Sequence, residues 1–103
     1  MGWNVKLLES AEEELDQLPE GPRNEAIELL ELLSEDPHSV VTGPLEGYAD
    51  SYKIYFASDR YRMLVRIRNK TLVVIVFRIR KRDSRTYSGM RSPSKRATRK
   101  RAR

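Results

Sequence analysis

Two period-two runs in the second half of the chain constrain its fold more than anything else in the sequence. Tyr61, Met63, Val65 and Ile67 alternate with Arg62, Leu64, Arg66 and Arg68. Val73, Ile75, Phe77 and Ile79 alternate with Leu72, Val74, Val76, Arg78, Arg80 and Arg82. Alternation of this kind, rich in β-branched and aromatic residues, specifies half-buried strands. A third run, Tyr52 to Phe56, precedes them. Residues directly opposite in an antiparallel pair share a face, and a slip of one residue inverts that face. A two-residue turn at Ser58 and Asp59 sets Phe56 opposite Tyr61 and Tyr55 opposite Arg62. After Arg68, a two-residue loop at Asn69 and Lys70 would set Arg62 opposite Phe77 and carry charge into the core. A loop of Asn69, Lys70 and Thr71 sets Arg62 opposite Arg78 and is the expected one. Lys53, Tyr55, Arg62, Arg78, Arg80 and Arg82 then share one face, and Ile54, Phe56, Met63, Val65, Ile75 and Phe77 share the other. A sheet with an apolar back and a front carrying five cations needs a polyanion to explain it.

Charge is segregated along the chain in the same sense. The net charge is +5, but residues 1–50 hold thirteen Asp/Glu against two Lys/Arg, and residues 51–103 hold eighteen Lys/Arg against two Asp/Glu. One half is built for nucleic-acid contact rather than the whole being generally basic. At 103 residues the chain is one domain with a modest core. It has no cysteine, which excludes disulfides and thiolate metal sites and fits a reducing cytoplasm. No apolar run approaches the ~18 residues of a membrane span, and Met1, Gly2, Trp3 and Asn4 do not read as the opening of a signal peptide.

Ahead of the basic runs, Trp3, Val5 and Leu7 alternate with polar residues and predict a first strand over 3–8. Ser10 followed by Glu13 is a capping-box pattern, opening a helix whose apolar stripe is Ala11, Leu15 and Leu18. Pro19, Glu20, Gly21 and Pro22 end it, with Gly21 as the cap. Pro22 suits the first turn of a second helix carrying Ala26, Ile27, Leu30 and Leu33, widened by Leu29 and Leu32. Asp36 before Pro37 stops it. Residues 37–51 are expected as a loop containing His38 and anchored by Leu45. The fold class is therefore α+β, in the order β-α-α-β-β-β, with a helical hairpin packed on an antiparallel sheet. Residues 88–103 hold seven Lys/Arg and no acid. They are expected to form a basic, disordered tail beyond a domain spanning 1–87.

Leu45 and Gly47, then Tyr52, Lys53 and Ile54, then Tyr61 and Arg62, then an apolar strand ending in Lys81 and Arg82 with Tyr87 beyond, form an ordered set. The set resembles the RelE/ParE toxins, the toxin halves of bacterial type II toxin–antitoxin pairs, and the resemblance covers residues 3 to 87. It implies the small RelE-like fold, a cognate antitoxin as partner and, in the RelE branch, ribosome-dependent cleavage of messenger RNA. It places the family's catalytic positions on Lys53, Arg62, Arg82 and Tyr87. Many RelE-type enzymes carry a second lysine where this chain has Tyr55. ParE-like members share the fold, are linked to DNA gyrase and usually lack the terminal tyrosine, so Tyr87 after Arg82 favours the RelE branch.

The residues suit that chemistry on their own terms. RNA is cut without a metal when its 2′-hydroxyl attacks the adjacent phosphorus. A site must then accept that proton, stabilise a phosphorane and protonate the 5′ leaving oxygen. The single histidine, His38, excludes a two-histidine mechanism, and Asp59 and Asp83 are the only carboxylates of the basic half, too few for a metal site. No cofactor is expected. Tyrosine among cations remains: the phenol ionises near ~10 when unperturbed, and neighbouring positive charge favours the phenolate. Tyr87 is assigned as general base, Lys53 as its electrostatic support, and Arg62 and Arg82 as forks for the phosphorane. Tyr55, Arg66, Arg78, Arg80 and Lys81 are assigned to RNA contact, Tyr55 by stacking on a base. Taken singly, Arg66 and Arg68 read as solvated surface, and the glutamates of both helices as solvated faces. The expected partners are the antitoxin, the ribosome and its mRNA, with no membrane and no DNA bound by the chain alone. Two other readings stand beside the nuclease: a ParE-like toxin acting on a protein target, and a catalytically weakened relative that binds without cutting.

Overall fold

A computed structural model describes residues 2–82; Tyr87 and the basic tail lie outside the described residues. The elements are β1 (Asn4–Leu7), α1 (Glu9–Asp16), α2 (Glu20–Glu35), α3 (Pro37–Val40), β2 (Gly43–Pro44), β3 (Ser51–Phe56), β4 (Tyr61–Arg68) and β5 (Val73–Lys81). The α+β class and the helical pair on a sheet are as expected. The sheet is mixed, with five strands in the order β1-β5-β4-β3-β2. β3, β4 and β5 form the antiparallel meander, but β1 lies parallel to β5, with Val5 beside Val74 and Leu7 beside Val76.

The helices begin and end where the backbone is already committed. Leu8 still donates its N–H to the Val76 carbonyl (3.0 Å), and Glu12 N–H bonds back to Leu8 (2.9 Å). The strand therefore runs straight into α1, Leu8 is the N-cap with no side-chain bond, and the expected Ser10–Glu13 capping box does not form. Glu9 and Glu12 in the first turn favour the helix dipole instead. Gly21 does not cap α1. Pro19 precedes a helix that starts at Glu20, so Gly21 and Pro22 fall within its first turn. Asp36 is extended (φ −157°) before Pro37 and ends α2 as expected. Of the α2 stripe, Ala26 and Leu33 are fully buried and Leu29 and Leu30 pack against the core. Ile27 and Leu32 point away and are 43% and 49% exposed.

Residues 37–51, expected as loop, hold α3 and the two-residue β2, which pairs Gly43 with Lys53 and Pro44 with Tyr52. Val40 and Val41, not Leu45, reach the core from this segment. His38 lies on α3; its Nε2 meets Asn69 Oδ1 at 2.6 Å and its ring stands edge-on to Trp3 and Tyr52.

The β3–β4 register is the expected one, Phe56 opposite Tyr61 and Tyr55 opposite Arg62. Arg60 N–H bonds to the Ala57 carbonyl (3.2 Å) across Ser58 and Asp59, both at positive φ (57° and 64°), the left-handed pair that matches strand twist. The β4–β5 register differs from expectation. The connection comprises residues 69–72, with Arg68 opposite Val73, and Arg62 faces Arg80 rather than Arg78. Between the pairs Val65–Val76 and Leu64–Arg78 the ladder shifts, leaving Phe77 as the extra residue of a β-bulge. The bulge reverses the phase of β5 partway along. Val74 and Val76 are fully buried, Ile79 is 2% exposed, and Ile75 and Phe77, expected in the core, are half-buried outside it. Beyond the bulge, Arg78 and Arg80 return to the face predicted for them.

Candidate functional site

The helices pack on the sheet face carrying Ile54, Met63, Val65, Val74, Val76 and Ile79. The other face presents the cations in rows across the strands. Tyr55, Arg62 and Arg80 form one row, Lys53, Leu64 and Arg78 the next, and Ser51, Arg66 and Ile75 the third. Neighbouring strands stand about 4.8 Å apart, so the cations of the first two rows, Arg62 with Arg80 and Lys53 with Arg78, lie one and two strands apart. Leu64 is 9% exposed yet lies outside the core cluster, giving the cationic face a buried apolar floor between Lys53 and Arg78.

Three of the four predicted catalytic residues lie together at one end of this face. Arg82 follows the last residue of β5, and its N–H bonds to the Arg60 carbonyl at 2.8 Å. Its Nη1 donates to the Asp59 carbonyl at 2.9 Å, and its Cζ lies 4.1 Å from the centre of the Tyr55 ring. Lys53 Nζ lies 5.5 Å from the same centre. Arg62 is opposite Tyr55 in the ladder. The outer edge of β3 is pinned at these positions: Thr42 N–H bonds to the Lys53 carbonyl (2.8 Å) and Tyr55 N–H to Thr42 Oγ1 (3.0 Å). The fourth residue, Tyr87, lies outside the described residues.

The residues assigned to RNA contact divide. Arg66 stands on the cationic face, and its Nε is buried with no hydrogen-bond partner among the described residues. Arg78 and Arg80 meet the carboxylate of Glu14 at 3.8 and 3.9 Å, ion pairs weakened by solvent since both arginines are 40% or more exposed. Lys81 faces Tyr61 in the ladder, and the two line a groove that runs past Glu14 and Arg80 to Gln17, Leu18 and Pro19 on the helix side. Glu14 is the residue that sequence reasoning missed. Besides facing both arginines, its Oε1 accepts the Ile79 N–H at 2.7 Å. The signal was available, because Ala11, Glu14, Leu15 and Leu18 are spaced i, i+3, i+4 and i+7, so this glutamate sits on the inward stripe.

Chemically the face can bind and neutralise an anion of several charges. Two planar forks and an ammonium around an aromatic ring suit a phosphodiester whose charge grows during reaction. No group of three or more His, Cys, Asp or Glu is gathered among the described residues. His38 belongs to the contact with Trp3 and Tyr52, so no imidazole joins the cations. Nor is any helix among the described residues long and apolar enough to cross a membrane.

No family model and no curated protein matches the chain. Solved structures do. The isolated E. coli RelE toxin is 28% identical with a TM-score of 0.70, over 84% of this chain and 92% of that one. A mutant E. coli RelE in complex with a RelBc antitoxin peptide is 27% identical with a TM-score of 0.73, over 95% of this chain and 100% of that one. The chromosomal ParDE system of P. aeruginosa, at 12% identity and a TM-score of 0.58, shares the fold alone, over 80% of this chain and 98% of that one.

Proposed function

From its membership of the RelE/ParE superfamily, we propose that this chain is the toxin of a type II toxin–antitoxin pair and cuts messenger RNA on the ribosome without a metal. The observation that carries this reading is the meeting of Lys53, Arg62 and Arg82 around Tyr55 on the face opposite the helices. The 2′-hydroxyl oxygen attacks the neighbouring phosphorus while its proton passes to Tyr87. Arg62 and Arg82 hold the added charge of the phosphorane, and Lys53 favours the phenolate and binds a non-bridging oxygen. The bond to the 5′ oxygen then breaks, that oxygen takes up a proton from water, and Tyr87 returns its own to solvent. The products are a 2′,3′-cyclic phosphate and a 5′-hydroxyl.

Such a site stabilises charge well, and among the described residues it includes no imidazole. On this reading the part left to the ribosome is orientation, holding the RNA with its 2′-hydroxyl in line with the phosphorus. Residence in the cytoplasm follows from that substrate. E. coli RelE binds a RelB antitoxin peptide; the cognate antitoxin of this chain is expected to neutralise it by occupying the cationic face, whose excess of cations attracts an acidic segment.

The test uses ribosomes programmed with a defined mRNA. Arg82→Ala and Tyr87→Phe should each lower cleavage by about 10²–10⁴-fold while remaining folded. Phenylalanine keeps the ring and removes the oxygen, which separates chemistry from packing. Arg66→Ala should mainly weaken RNA binding. Wild-type protein that leaves ribosome-bound mRNA intact, with Tyr87→Phe equally toxic to cells, would overturn the nuclease in favour of a protein target.

A further inference from the structure

We propose that Tyr55 is a positioning residue whose ring aims Arg82 at the substrate phosphate, rather than a platform on which an RNA base stacks; the substrate named here rests on the nuclease reading. Arg82 stands just past the last ladder pair, where an arginine side chain has many rotamers open to it. Here its guanidinium is fixed from two directions, by the Asp59 carbonyl at 2.9 Å and by the Tyr55 ring at 4.1 Å. One of its five N–H donors is spent on that carbonyl, and the rest of the fork remains for a phosphate.

The electrostatic setting gives the ring a function. Lys53, Arg62 and Arg80 all share the face with Arg82, and like charges this close repel. The negative π-face of Tyr55 offsets that repulsion for Arg82 and for Lys53, whose Nζ is 5.5 Å from the ring centre. A lysine at 55 would add a further cation and leave Arg82 without a ring to rest on. The ring surface that Arg82 covers is also closed to a base. Tyr55 is itself held firmly, by pairing with Arg62 and by its N–H bond to Thr42.

The full-length protein with Tyr55→Leu, Tyr55→Phe and Tyr55→Lys tests this. Side-chain resonances of Arg82, assigned by comparison with Arg82→Lys, should show an aromatic ring-current shift in wild type and Tyr55→Phe and lose it in Tyr55→Leu and Tyr55→Lys. In steady-state cleavage of ribosome-bound mRNA, Tyr55→Leu and Tyr55→Lys should lower kcat by about 2- to 30-fold, the range of a cation–π contact, with KM little changed. Tyr55→Phe should recover most of what leucine loses. A rise in KM at constant kcat in Tyr55→Leu would overturn the proposal in favour of base stacking, and so would a wild-type Arg82 without the ring-current shift. If the wild type cuts no mRNA, the nuclease reading fails on its own. The proposal is then decided by the Arg82 resonances: the ring-current shift present in wild type and Tyr55→Phe and lost in Tyr55→Leu and Tyr55→Lys supports it, and its absence from wild type overturns it.

Discussion

Glu14 shows how one side chain can set the effective charge of a surface. It accepts the Ile79 N–H, which the departure of β1 after Leu7 leaves without a strand partner, and faces Arg78 and Arg80 with the same carboxylate. Glu14→Gln keeps an oxygen for that N–H and removes only the charge. Since solvated ion pairs contribute at most about 1 kcal/mol, thermal stability should fall little. RNA binding should change more. With two arginines released, the slope of log affinity against log salt should steepen by up to about 1.4, the contribution of two phosphate contacts on a single strand. A slope equal to wild type across a salt titration would show that Arg78 and Arg80 do not touch RNA.

At the scale of elements, the bulge at Phe77 decides which residues are core. Ile79→Ala should cost about 2–5 kcal/mol in denaturant unfolding, as for other buried isoleucines, and Ile75→Ala distinctly less. The reverse order would mean that β5 is regular. The same bulge explains where the sequence could be read and where it could not. The β3–β4 register was legible because Ser58 and Asp59 form a tight turn that fixes every pair behind it. β5 was not, since a bulge built on phenylalanine carries no glycine to betray it, and Leu72, at φ +56°, occupies a loop position that its residue type conceals. The parallel direction of β1 was illegible too, because alternation reports a face and not a partner. α3 and β2, of four and two residues, are shorter than any periodicity can register. At the site, the grouping of Lys53 and Arg62 with Tyr55 followed from the tight turn. The grip on Arg82 did not, since it depends on backbone carbonyls of Asp59 and Arg60 that have no sequence signature.

For the whole molecule, the separation of an acidic helical layer from a basic sheet face gives it two ends of opposite sign. An antitoxin that silences it should meet the basic end. The complex should therefore weaken with added salt and should exclude single-stranded RNA. A partner whose binding is indifferent to salt and leaves RNA affinity unchanged would sit on the acidic helices instead, and the proposed mode of neutralisation would be wrong.

The placement of β1 has a consequence in time. Its partner in the sheet is β5, so the first strand made must wait, beside helices that cannot bury their stripe alone, until the last is synthesised. Contacts between such distant segments carry a loop-closure cost before they return anything, which slows folding. A nascent chain that lacks β5 has neither its central ladder nor the strand from which Arg82 emerges. For a protein whose proposed target is the translating ribosome, this order of assembly separates making the toxin from arming it.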